Sequence, residues 1–152
     1  MPLVIDTLIN GIKELTEPDK MPANVPEMAE KWGTIIGDYG SQVIPTCLPA
    51  NSEPAMATLI ATLQGVTNSP STFIPLMTAG LTAYAVSLVP GMLPGFVGVP
   101  PPVPIVLAAV VPAGLAGATG EQQAILLSGL IDAWFRTGTA TPSSGGSPVP
   151  WS

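Results

Sequence analysis

From Pro54 to Gly120 the chain contains no Asp, Glu, Lys, Arg or His. A span of that length without a charge cannot be an ordinary water-facing surface. It has to be covered by its own fold, by other subunits, or by lipid. The rest of the chain is sparing too, with only ten acids and four bases in 152 residues, so that 9% of positions are charged against about 25% in a typical domain. Apolar residues stand at 47%, an ordinary level, which separates this chain from the polar, highly charged composition of disordered proteins. The difficulty such a sequence poses is therefore where to put apolar surface.

The net charge of −6 is carried mainly by acids ahead of the neutral span: Asp6, Glu14, Glu17, Asp19, Glu27, Glu30, Asp38 and Glu53. Lys13, Lys20, Lys31 and Arg136 are too few and too scattered to track a phosphate backbone, so nucleic acid is not an expected partner. Cys47 is the single cysteine. It excludes an intrachain disulfide and, with no neighbouring cation or His, reads as a small buried hydrophobe. The opening Met1-Pro2-Leu3-Val4-Ile5-Asp6 lacks the basic and apolar regions of an export signal.

Apolar residues at three- and four-residue steps predict an amphipathic helix over Leu3 to Thr16, stopped by Pro18. Asn24-Val25-Pro26-Glu27 predicts a capped start to a second helix, with Met28, Trp32, Ile35, Ile36 and Tyr39 on its inner stripe. Gly33 and Gly37 on adjoining faces would admit a close neighbour. Asn51-Ser52-Glu53-Pro54 predicts a third start, with Met56, Leu59, Ile60 and Leu63 inward until Gly65. Ser71 to Val89 is apolar or small nearly all round, the pattern of a helix buried on more than one side. Pro90, Pro94, Pro100, Pro101, Pro102 and Pro104 suggest a stiff, extended connector. Ile105 to Val111 is a short apolar, partly β-branched run that periodicity assigns to neither helix nor strand; Ala108, Ala109 and the helical company favour a short helix ended by Pro112. Thr119-Gly120-Glu121-Gln122 has the form of a capping box opening a last helix, with Ile125, Leu126, Leu130, Ile131, Trp134 and Phe135 as its core face. The fold class expected is all-α: a compact bundle of five or six helices over residues 1–137, with a Pro-rich connector and an extended Gly/Ser/Pro-rich C-terminal arm over 138–152.

The absence of His removes the commonest general base and metal ligand together. No metal-binding, phosphate-loop or nucleophile-elbow pattern is present, and the acids fall on solvent faces and first turns of helices, where solubility and capping account for them. No catalytic residue, cofactor, metal or small-molecule substrate is expected, and the chain reads as a non-enzyme. Membrane insertion is disfavoured because Thr72 to Val89 is diluted by Thr, Ser, Gly and Pro, Ile105 to Leu115 is short, and neither has flanking basic residues. Contacts with other proteins take their place, and Trp151, Val149, Tyr84 and Phe73 are the candidate partner-binding residues. Trp151, at the end of the arm, is the natural anchor for a pocket on a neighbour.

Lys31-Trp32-Gly33 in an early helix, the Ala/Gly/Thr-rich middle, the Pro100-Pro101-Pro102 break and the closing Trp134-Phe135-Arg136-Thr137-Gly138-Thr139-Ala140-Thr141-Pro142 resemble small helical structural proteins of tailed bacteriophages. That resemblance implies a virion subunit of the tail, baseplate or neck, assembled in the host cytoplasm. Its partners would be other virion structural proteins and copies of itself. A capsid decoration protein would fit the same residues. A membrane-active, holin-like hairpin built from Thr72 to Val89 and Ile105 to Leu115 is the alternative from a different class.

Overall fold

The computed structural model describes residues 3–44, 49–65, 70–110 and 119–152. Cys47 and Pro112 lie outside them, as do Leu115 and the far end of the expected hairpin. Five α-helices are seen among the described residues: α1 (Ile5–Thr16), α2 (Val25–Gly40), α3 (Pro49–Leu63), α4 (Pro70–Leu88) and α5 (Gly120–Phe135). Three short strands, β1 (Phe96–Val99), β2 (Thr139–Pro142) and β3 (Val149–Pro150), form one antiparallel sheet in the order β1-β2-β3. The molecule is therefore mostly helical, and the all-α expectation is corrected by this sheet.

Two of the helix starts, those of α2 and α5, are fixed by side-chain caps written in the sequence. Asn24 caps α2 by accepting a hydrogen bond from the Glu27 backbone N–H at 2.9 Å, with Pro26 in the first turn. The Glu27 carboxylate reaches one residue further back than a capping box requires and accepts from the Ala23 N–H at 2.9 Å. At α5 both halves of the box are present. Gln122 N–H donates to Thr119 Oγ1 at 3.3 Å, and Thr119 N–H donates to Gln122 Oε1 at 3.1 Å. Helix α3 begins at Pro49, two residues before the expected cap at Asn51.

In space, α5 packs on α1, α1 on α2, α2 on α3 and α3 on α4. One core runs through all of them, from Leu8 and Ile12 on α1 through Ile36 and Tyr39, Leu59 and Leu63, and Met77, Leu81 and Tyr84 to Ile131 and Phe135. The glycines of α2 are what bring α3 and α4 so near. A Cβ at Gly33 would run into Ile60, one at Gly37 into Met56, and one at Gly40 into the ring of Tyr84. Phe135 is the hub where the elements meet. Its ring lies 5.4 Å from Tyr39 and 5.2 Å from Trp134, both edge-on, and 6.2 Å from Tyr84 and 6.3 Å from Trp151. Edge-to-face pairs of this kind add to plain burial.

The proline-rich connector is not a plain spacer. A 3₁₀ turn over Val89–Met92 leads into β1, which lies between Pro94 and Pro100 and pairs with β2 from Phe96↔Pro142 to Val99↔Thr139. Gly98 faces inward, with Met92 and Val89 filling the space a side chain would need. Leu107–Ala109 forms a single 3₁₀ turn, shorter than the helix expected from Ile105. The segment after Gly138 likewise departs from an extended arm. It supplies β2 and β3, and Trp151 joins the same core cluster as the helices.

Candidate interaction surface

Charge divides the described surface into two regions. Every acid and base from Asp6 to Asp38 lies on α1, α2 or the loop between them, and beyond these the described charged side chains are Glu121, Asp132 and Arg136 on and just after α5. The cations are all in ion pairs: Lys13–Glu121 at 3.1 Å, Lys20–Glu17 at 3.0 Å and Lys20–Glu14 at 3.4 Å, Lys31–Glu27 at 3.3 Å, and Arg136–Asp132 at 2.8 Å. Most are exposed and contribute little stability each. Glu17 and Glu14 hold the Lys20 ammonium above its ordinary range, and the Ala23 N–H, aided by Lys31, holds the Glu27 carboxyl below its own. An open groove of about 530 Å³ between α1 and α2 is rimmed by Glu14, Asp19, Lys20, Glu27, Glu30 and Lys31. Its two lysines are already committed to carboxylates, so it presents no free cationic grip for an anion.

One polar network is anchored inside. The Tyr39 hydroxyl donates to Asp132 Oδ1 at 2.6 Å, Arg136 Nε donates to Asp132 Oδ2 at 2.8 Å, and the Arg136 guanidinium also donates to the Leu3 carbonyl at 3.0 Å. Burial first, and the Asp132 hydrogen bond second, push the Tyr39 hydroxyl far above its ordinary value. The network ties α2, α5 and the N-terminal segment together. It contains no nucleophile or free base, and no group of three or more potential metal ligands occurs among the described residues.

The second region is neutral. On α4 the outward positions are Ser71, Pro75, Ala79 and Val86; on β1 they are Val97 and Val99, followed by Val103 and Val106. The outer face of the sheet continues across Thr139 and Thr141, which sit opposite Val99 and Val97. On α5, Ile125 and Leu126 are 50% and 47% exposed, which corrects their expected place on the core face. Ala124 and Ser128 take that place in the first half of the helix, while Ile131, Trp134 and Phe135 are buried as expected. Ser128 Oγ is fully buried with no hydrogen-bond partner among the described residues. The helical stretch Ser71–Met92 is, among the described residues, the one long and apolar enough to cross a membrane, with a mean hydropathy of 1.6 and a third of that window buried in the protein.

The four residues expected to bind partners are distributed differently from that expectation. Trp151 is 1% exposed and sits in its own chain, its ring over Gly138 and its indole N–H donating to the Thr139 carbonyl at 3.0 Å. Tyr84 is fully buried against Phe135. Phe73 is half-buried against Trp32, with ring centroids 6.0 Å apart. Only Val149, 41% exposed, faces water. Trp151 and Tyr84 are thus brought together as core around Phe135 within the single chain. No protein-family model matches the chain, and no curated protein or solved structure is similar to it.

Proposed function

We propose that this chain is a non-enzymatic structural subunit of a large multi-protein assembly, a virion component of a tailed phage, which contacts copies of itself and other structural proteins through its neutral region. The observation that carries this reading is the segregation of charge. Ionic groups gather on α1, α2 and α5, while α4, β1 and the outer stripe of α5 present valine, isoleucine, leucine, threonine and alanine. Large apolar side chains left exposed on a folded protein in this number commonly mark contacts with another macromolecule. Mass spectrometry of purified particles, with sedimentation of the lysate they come from, tests it. The chain should co-sediment with particles and resist removal by salt, because the contact is apolar rather than ionic. Recovery as a free monomer alone would overturn the proposal.

The Ser71–Met92 stretch supports a second reading, a membrane-active protein that exposes α4 to lipid. Recovery in the membrane fraction, released only by detergent, would favour it. Against it stands the packing of Met77, Leu81, Tyr84 and Leu88 of α4 into the common core.

A further inference from the structure

The C-terminal segment is built as a strap with one anchor. Every residue from Ser143 to Pro150 is exposed, and only Trp151 plunges into the protein. The strap is held by β3, by the Trp151 N–H to the Gly138 carbonyl at 2.9 Å, and by a reciprocal pair between Ser152 and Ile44, at 2.8 and 3.2 Å. The socket is formed by Phe135 and by the empty side-chain position of Gly138, where a Cβ would come 2.5 Å from the indole ring. At the other end of the strap, Gly145 and Gly146 sit at φ of +91° and +149°. Those angles suit glycine, whose missing side chain leaves other backbone conformations open at the same positions.

We propose that this strap is an exchangeable latch: in the free protein it closes on its own socket, and in the assembly its Trp151 enters the socket of a second copy. The inference rests on the reading of the chain as an assembly subunit. The occupant follows from the structure itself, since the socket already holds this segment and a second copy would bring the same atoms to the same partners. Exchange of an identical element keeps every contact and changes only the connection, which makes it a low-cost route between copies. The span from Pro142 to Trp151 reaches about 30 Å when extended, enough to cross to an adjoining subunit.

Two full-length variants test the latch. Trp151→Ala keeps the socket and loses the anchor; Gly138→Val keeps the anchor and fills the socket. Each alone should be monomeric in multi-angle light scattering, and a mixture should form a one-to-one dimer of twice the 15.5 kDa chain mass, the Gly138→Val strap seated in the Trp151→Ala socket. A mixture that stays monomeric overturns the proposal. Should either variant fail to fold, deletion of Ser143–Ser147 gives an independent answer. It joins Pro142 to Pro148, too short and stiff a link to turn β3 back on β2, and an exchangeable strap must then yield a dimer. A folded monomer would overturn the latch. No particle takes part in either measurement, so a negative result here leaves the assembly reading standing, while absence from particles would remove that reading and leave the exchange intact.

Discussion

Helices α1 and α2 and helices α3 and α4 solve the same packing problem with different materials. On α1 and α2 the charged residues mark the wet face, and the apolar residues between them, Leu8, Ile12, Trp32, Ile36 and Tyr39, are buried. On α4 there is no charge at all, and the boundary between Met77, Leu81 and Tyr84 inside and Pro75, Ala79 and Val86 outside is drawn only by the shape of neighbouring helices. Amphipathic periodicity orients a helix when polar groups are expensive to bury. Where every side chain is small or apolar, either orientation is tolerated in isolation, and tertiary contacts decide.

The two halves meet at Phe135, so its loss should do the most damage. Phe135→Ala removes a fully buried ring touching Tyr39, Tyr84, Trp134 and Trp151, and should cost about 3–5 kcal/mol in urea denaturation; a loss below 1 kcal/mol would show that the halves are stabilised separately. Next comes the seam between α2 and α4. Gly40→Ala drives a methyl into the stiff Tyr84 ring and should cost ~1–3 kcal/mol, whereas Gly37→Ala meets the flexible end of Met56 and should cost less. A reversed order would mean that α4 lies further from α2 than described.

Tyr39→Phe tests the polar tie on the charged side. It removes a buried hydrogen bond to a carboxylate, worth about 1.5–3 kcal/mol. Because the folded hydroxyl titrates above its ordinary 10.0, the tyrosine's contribution is complete below pH 10 and declines as pH rises and the unfolded chain ionises. The gap between wild type and Tyr39→Phe should therefore narrow above pH 10. The smallest effect is at the α2 start. With the folded Glu27 carboxyl below its ordinary 4.5, wild type should exceed Glu27→Gln slightly at neutral pH, and that margin should disappear as pH falls below 4.5 through the lowered folded value. A margin unchanged at pH 3 would contradict the cap.

Much of this helical framework was legible in the residues. The caps at Asn24 and Thr119, the stop before Pro18, and the inner stripes of α1, α2 and α3 follow from local hydrogen bonding and from the cost of burying charge. The sheet was not legible. Phe96–Val99 is four residues long between prolines and pairs with Thr139–Pro142, forty or more residues away, and a pairing that distant leaves no local periodic trace. On α5 the core places of Ile131, Trp134 and Phe135 were legible, but in its first half the small Ala124 and polar Ser128 are buried while Ile125 and Leu126 face out, the reverse of what their side chains suggest. The seat of Trp151 in its own chain leaves no local trace either, because its socket is made by the missing side chain of Gly138.

The central claim is that the neutral region is the contact surface and the charged region is not. It is tested most directly by placing one new negative charge on each and letting both variants compete with wild type for incorporation into particles. Val86 is exposed on α4, and Thr34 is exposed on α2. Val86→Asp should be under-incorporated by about tenfold or more, the equivalent of ~1.4 kcal/mol per contact, while Thr34→Asp should enter as wild type does. Equal incorporation of Val86→Asp and wild type, with both proteins folded, would contradict the account.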